Sequence, residues 1–226
     1  MRQVITILLL TTVVTAFSTS KSSSNTEQRV ASNSTIKKNT KKDGAYQLVY
    51  PEKFEDAVMD VPDEPNVEFS FVVKAPKEFV LDAWNLPKGK GGSAEVQKEG
   101  NVGEGEKSWP GISNDMERKL YVYGIPVTQI VGNVQTPENG DWHFEWKAGL
   151  PYYKMPYPFS VIMKSVHGQA TLSDGPNENE TTVTITNRHN PGVSLGLTTF
   201  GIKATTPGLA KKAPKRFKKG EFLGPQ

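Results

Sequence analysis

The chain has 226 residues with no cysteine, which excludes disulfides, thiolate catalysis and Cys-ligated zinc or iron–sulfur centres. Its net charge of +3 conceals a segregation: residues 1–42 carry 7 basic side chains against 1 acidic, residues 201–226 again 7 against 1, and residues 43–200 carry 13 against 22. A body with that acidic excess repels phosphates over most of its surface, so nucleic acid is not an expected partner.

The chain opens with Met1-Arg2-Gln3, one positive charge, followed by an apolar run from Val4 to Val14 broken only by threonines. Small or β-branched residues, Val14-Thr15-Ala16, then stand where a signal peptidase cuts, so residues 1–16 are expected to be a signal peptide cleaved between Ala16 and Phe17. The run is too short for a membrane span, which needs about 20 apolar residues. Phe17 to Lys42 is rich in Ser, Thr, Asn and Lys with Glu27 as its one acid. A hydrophobic signal joined through Ala16-Phe17 to such a segment resembles the bipartite presequence of proteins sent into the plastids of algae with secondary plastids. A plastid destination is therefore expected; secretion with a disordered linker is the alternative, because Ser/Lys-rich segments cannot bury enough apolar surface to order themselves. Two glycosylation triplets, Asn33-Ser34-Thr35 and Asn179-Glu180-Thr181, would accompany secretion if occupied.

Residues 43–66 are polar and read as a lead-in with no regular element. Val67, Phe69, Phe71 and Val73 then alternate with Glu68, Ser70 and Val72, the period of a half-buried strand. After Pro76, placed for the first turn of a helix, Phe79, Val80, Ala83 and Trp84 form a short apolar stripe that ends at Asn85-Leu86-Pro87. From Gly89 to Gly111 there are 7 glycines and no clear period, so this stretch reads as loop; Gly100 to Gly105 lacks the strand and helix that a phosphate-cradling loop requires. Strands are expected again at Asp115 to Tyr123, Pro126 to Gln135, Trp142 to Ala148, Phe159 to Ser173 and Glu180 to His189. The turn residues between them, Pro137 to Asp141 and Asp174 to Asn179, are too few for a parallel crossover, so neighbours run antiparallel. Leu150 to Phe159 holds three prolines and three tyrosines and is expected as a loop or edge packed over the sheet. Gly196 to Phe217 reads as a poor helix, interrupted at Pro207 and Pro214.

Chemistry-bearing residues are sparse. His143, His167 and His189 all fall in expected strands, with no pair at the helical spacing of a zinc site, so neither metal nor cofactor is expected. Strand alternation puts Trp142, Phe144 and Trp146 on one face, which should be the buried one, and His143, Glu145 and Lys147 on the other as a solvent-facing charge cluster. His167 shares parity with Met163, Ser165 and Gln169; if that face is internal, it lines a polar centre that a protein group or ligand must satisfy.

The order of elements resembles the START-like helix-grip superfamily, which also contains polyketide cyclases, dehydrases and lipid-transport proteins. The resemblance rests on a strand, then Ala75 to Pro87 as a short helix ending Trp-Asn-Leu-Pro, then antiparallel strands closing with the Thr-rich run Asn179 to Asn187. It implies an α+β fold over residues 67–217: a curved antiparallel sheet with a short N-terminal helix and a C-terminal helix across it, followed by a basic tail end at 218–226. It also implies binding of a hydrophobic small molecule, a lipid, isoprenoid or pigment, walled by Phe69, Phe71, Trp84, Trp142, Phe144 and Trp146, though the same residues serve as plain core. A cyclase- or dehydrase-like enzyme using a cavity His or Tyr, with His167 as candidate, and a non-catalytic scaffold with a filled interior are the alternatives. The chain is expected as a monomer, and its run of Lys211, Lys212, Lys215, Arg216, Lys218 and Lys219 suits an anionic membrane surface or a solvated tail.

Overall fold

The computed structural model describes residues 51–101, 109, 111–122, 124–157, 159–192 and 194–224. The expected presequence, its cleavage point at Ala16 and Phe17, and most of the Gly100 to Gly105 stretch lie outside these residues.

The sheet is built from β1 (Val67–Val73), β2 (Ala94–Lys98), β3 (Met116–Val122), β4 (Ile125–Gln135), β5 (Trp142–Gly149), β6 (Met163–Asp174) and β7 (Thr181–Pro191). Its spatial order is β1-β7-β6-β5-β4-β3-β2, and every pairing is antiparallel. From β2 to β7 the chain meanders, as short turns require; β1 alone reaches across to the last strand. Helix α1 (Lys77–Trp84) follows β1, α2 (Phe159–Ile162) precedes β6, and α3 (Leu195–Thr205), α4 (Pro207–Ala210) and α5 (Ala213–Lys219) end the described chain. The architecture is α+β and helix-grip-like: an open antiparallel sheet with the C-terminal helical run across one face.

Three expectations need correction. Ala94–Lys98 forms an edge strand inside the stretch read as loop, paired to β3 with an irregularity between Val96 and Lys98 that obscures its period. The strand expected from Phe159 starts at Met163, because Ser160 N donates to Pro156 O at 3.0 Å and the prolines initiate a helical turn. The third concerns extent alone: the C-terminal helix is interrupted near the two prolines as expected, and its segments span 195–219 against the expected 196–217. Ser194 Oγ caps α3 by accepting from Leu197 N, and the linking residues Thr206, Lys211 and Lys212 all keep right-handed helical torsions. Pro207 and Pro214 interrupt its hydrogen bonding without turning the chain away.

The register sorts side chains onto two faces. Towards the helices point Val131 of β4, Phe144 of β5, Ala170 and Leu172 of β6, and Val183 and Ile185 of β7; they pack with Val80, Leu81 and Trp84 of α1 and with Ala210 and Ala213 of the C-terminal run. Asp82 is buried on α1 and accepts from Arg216 Nε at 3.1 Å and Nη2 at 2.7 Å, which ties α5 to α1.

The opposite, outer face is not left to solvent. The described part of the lead-in, residues 51–66, has no regular element, yet it crosses this face as a strap and buries Phe54 and Ala57 against Ile130 and Tyr153. Phe54 N donates to Asp115 Oδ1 at 2.7 Å, and its carbonyl accepts from Lys147 Nζ at 2.9 Å, with the same ammonium 4.2 Å from the ring centre. Further along, Ser165 Oγ donates to Asp60 O at 2.5 Å, and the Asn66 side chain bonds both backbone groups of His189, at 2.8 and 3.1 Å.

Gly132 makes room for this strap, since a Cβ there would lie 2.2 Å from Phe54 Cγ. Gly132→Ala is expected to lower unfolding stability by about 1–3 kcal/mol through overpacking, measured by urea titration. In a Phe54→Ala background most of that penalty should disappear, and a cycle showing additive losses would refute the contact as its cause.

Candidate functional site

Reading the register across the helix-facing side gives four rows, each two residues further along the strands. The first joins Phe71, Val183, Leu172 and Trp142, and the second Phe69, Ile185, Ala170 and Phe144. The third joins Val67, Asn187, Gly168 and Trp146 and continues to Val131. The fourth joins His189, Val166, Ala148, Gln129 and Arg118. Polarity therefore rises along the strands, from an aromatic end to an end that holds a histidine, a glutamine and an arginine.

All six aromatic residues singled out in the sequence meet on this side. Trp84 stands edge-on to Phe144 at 5.6 Å and 6.5 Å from Trp146, while Phe69 stacks on Phe71 at 6.2 Å. Trp84 and Phe144 are buried as core; Phe69, Phe71, Trp142 and Trp146 stay partly exposed. Trp142 packs against Trp109 at 5.0 Å, and Lys203 Nζ of α3 lies over the Phe69 ring at 5.9 Å from its centre.

The polar ends of the fourth row differ. Arg118 is fully buried, with Nη1 donating to Asn85 Oδ1 and to Gly111 O at 2.7 Å; with its amide oxygen turned inward, Gln129 accepts from Nε at 2.7 Å and Nη2 at 3.0 Å. Burial pushes the Arg118 guanidinium down to about 9, still charged at neutral pH. His189 has 0% of its surface exposed and neither ring nitrogen meets a hydrogen-bond partner among the described residues. Burial pushes its pKa down, so the ring is neutral near pH 7. Two residues away on the same face, Asn187 is 3% exposed with Oδ1 also unpartnered.

His167 does not join this side. Its parity faces the strap, where the Phe54 ring lies edge-on at 5.8 Å. Arg188 Nη2 donates to Nδ1 at 2.7 Å, which leaves Nε2–H to donate to Glu145 Oε2 at 2.5 Å, and His143 Nε2 reaches Glu145 Oε1 at 3.3 Å. The expected polar centre around His167 is thus a network between sheet and strap, and the His143, Glu145 and Lys147 cluster is covered rather than open; Lys147 is buried. Burial opposes ionisation of Glu145, but hydrogen bonds from His143, His167 and Asn133 outweigh it and hold the carboxyl well below its usual range. A shallow concavity of about 170 Å³ opens beside the network, between Asp63, His167 and Arg188, and one of about 390 Å³ opens beside Phe54, Asp115 and Asn133.

Sequence reasoning overlooked Asn187 and His189, although the alternation Val183, Ile185, Asn187, His189 already placed them on the buried face.

No family model matches the chain, and no curated protein is similar to it. Among solved structures it is similar to Ara h 8.0201, with 11% identity over 67% of this chain and 96% of that one and a TM-score of 0.43. It is also similar to a START superfamily protein from Mycobacterium smegmatis, with 13% identity, 68% and 97% coverage and a TM-score of 0.41. A protein of the dynemicin biosynthetic locus gives 16% identity, 67% and 47% coverage and a TM-score of 0.40.

Because Glu145 ionises more readily in the folded chain than in the unfolded one, its contribution to stability is complete above the unfolded value and is lost as pH falls through the folded one. The melting-temperature gap between the native chain and Glu145→Gln should be widest near neutrality and close progressively below about pH 4. A gap that is constant from pH 7 to 3 would contradict this assignment.

Proposed function

We propose that the chain binds a hydrophobic small molecule on the helix-facing side of its sheet and does not transform it. The observation that carries this reading is the run of aromatic side chains Phe69, Phe71, Trp142 and Trp146 on the helix-facing side, which pack against the core but stay partly exposed. Aromatic side chains there offer a large apolar area of fixed shape. A scaffold protein with a filled interior leaves that surface unexplained. The cyclase- or dehydrase-like alternative loses His167, which faces the strap and already has partners on both nitrogens. His189 is on the right face but among the described residues has no acid or base within hydrogen-bond reach to hold or relay a proton.

The proposed setting is a plastid, reached through the bipartite presequence, with secretion as the alternative. The proposed peripheral partner is an anionic membrane: Phe200, Lys211, Lys215 and Lys218 are exposed and recur at helical spacing on the side away from Thr198, Thr206, Ala210 and Ala213.

Native mass spectrometry and organic extraction of the mature protein from its own organism should yield a co-purifying lipid, isoprenoid or pigment, and Trp146→Ala should reduce its occupancy severalfold. A ligand-free protein would refute the binder. Residues 1–42 fused to a fluorescent reporter should direct it into the plastid, and Phe17→Ala should divert it; secretion of both fusions would refute the plastid destination.

A further inference from the structure

The rows of the helix-facing side run from an apolar end to a polar end whose β7 members have no partners. A buried polar group without a hydrogen bond costs roughly 1–3 kcal/mol, and here two lie on one strand and one face: the His189 ring and Asn187 Oδ1. The Arg118 end of the fourth row is satisfied by Asn85, Gly111 and Gln129; the other buried side-chain atoms without a partner among the described residues, Asp82 Oδ1 and Trp109 Nε1, lie on a helix and a loop and not in these rows. Gly168 stands between Asn187 and the partly exposed Trp146; a Cβ there would lie 2.3 Å from the indole and 2.5 Å from Asn187 Oδ1. The absent side chain leaves the polar pair continuous with the aromatic surface.

We propose that Asn187 and His189 form the polar end of the binding face and take the terminal hydroxyl of an elongated apolar molecule. The inference rests on the binder reading above and specifies its ligand class. A neutral imidazole supplies one donor and one acceptor, and Asn187 Oδ1 supplies a second acceptor. A hydroxyl donates and accepts at once, so it can accept from the imidazole N–H and donate to Asn187 Oδ1, which leaves the second ring nitrogen as a free acceptor; an ether or ketone can only accept. A carboxylate or ammonium head would be desolvated without a counterion, because the Arg118 charge lies at the far end of its row and is already bound. From Val183 to Asn187 the strand advances about 13 Å, which sets the apolar length lying on the first three rows.

The test compares 1-decanol with undecane, equal in length, by quenching of tryptophan fluorescence in the native chain, in Asn187→Leu and in His189→Leu. Decanol should bind the native chain roughly tenfold more tightly than undecane, the worth of one to two net hydrogen bonds. In each Leu variant the preference should shrink to about threefold or less, with undecane affinity unchanged or improved. If the native chain binds neither probe, the binder reading fails and takes this inference with it. If it binds both equally, or keeps its alcohol preference in both variants, apolar binding stands and the polar anchor is refuted. Should a Leu variant not fold, ¹⁵N spectra of the His189 ring in the native chain decide. Decanol should shift its nitrogen signals and undecane should not; signals indifferent to decanol refute the anchor.

Discussion

The ladder between β1 and β7 sets the rest of the structure in place. Because Val67 pairs with Asn187, the start of the first strand and the end of the last occupy one corner of the sheet. The chain entering β1 and the chain leaving β7 must both depart from that corner, and they go to opposite faces: the strap to one, α3 to the other. Asn66 extends the ladder by one rung with its side-chain amide, donating to His189 O and accepting from His189 N. That rung fixes the backbone of β7 where its side chains turn towards the helices, so the pairing that positions the strap also aims His189 inward.

Two glycines do matching work on the two faces. Gly132 on β4 admits the Phe54 ring from outside, and Gly168 on β6 admits the Trp146 indole from inside. In each case a missing Cβ lets a large ring lie flat on backbone, which raises contact area without lengthening any strand. On the outer face Phe54 covers Lys147 and the Glu145 network, with shallow concavities left beside the strap; on the inner face the Trp146 indole packs against the main core and stays partly exposed.

β1 and β5 were legible because one of their faces is wholly apolar, and β3 and β7 because a shorter apolar alternation, Met116, Leu120 and Val122 or Val183 and Ile185, lies between turn residues. β2 was hidden by its neighbours, since glycines on both sides and an irregular register leave only five residues in which to see a period. The lead-in was misjudged on composition: acids surround Phe54, and its burial depends on Gly132, some 80 residues away in sequence. For His167 the wrong face of β6 was weighed. Its alternate positions, Val166, Gly168, Ala170 and Leu172, are small or apolar and pack inward, which leaves Ser165, His167 and Gln169 outside. The same test applied to β7 points His189 inward, and a histidine among threonines drew less notice than one near serine and glutamine.

The C-terminal helix has a seam. Pro207 offers no amide hydrogen to the Lys203 carbonyl, and Leu209 N bonds instead to Thr206 O at 3.0 Å, a tighter turn than the helix on either side. Beyond that seam α4 and α5 are moored to α1 by Ala210, Ala213 and the Arg216–Asp82 pair, whereas α3 before it is tied by Thr198 Oγ1 donating to Ile162 O at 2.7 Å. The two sides of the seam are therefore held by unlike means: beyond it by side-chain packing and an ion pair, before it by the chain's continuation from β7 and a single side-chain bond to the turn ahead of β6.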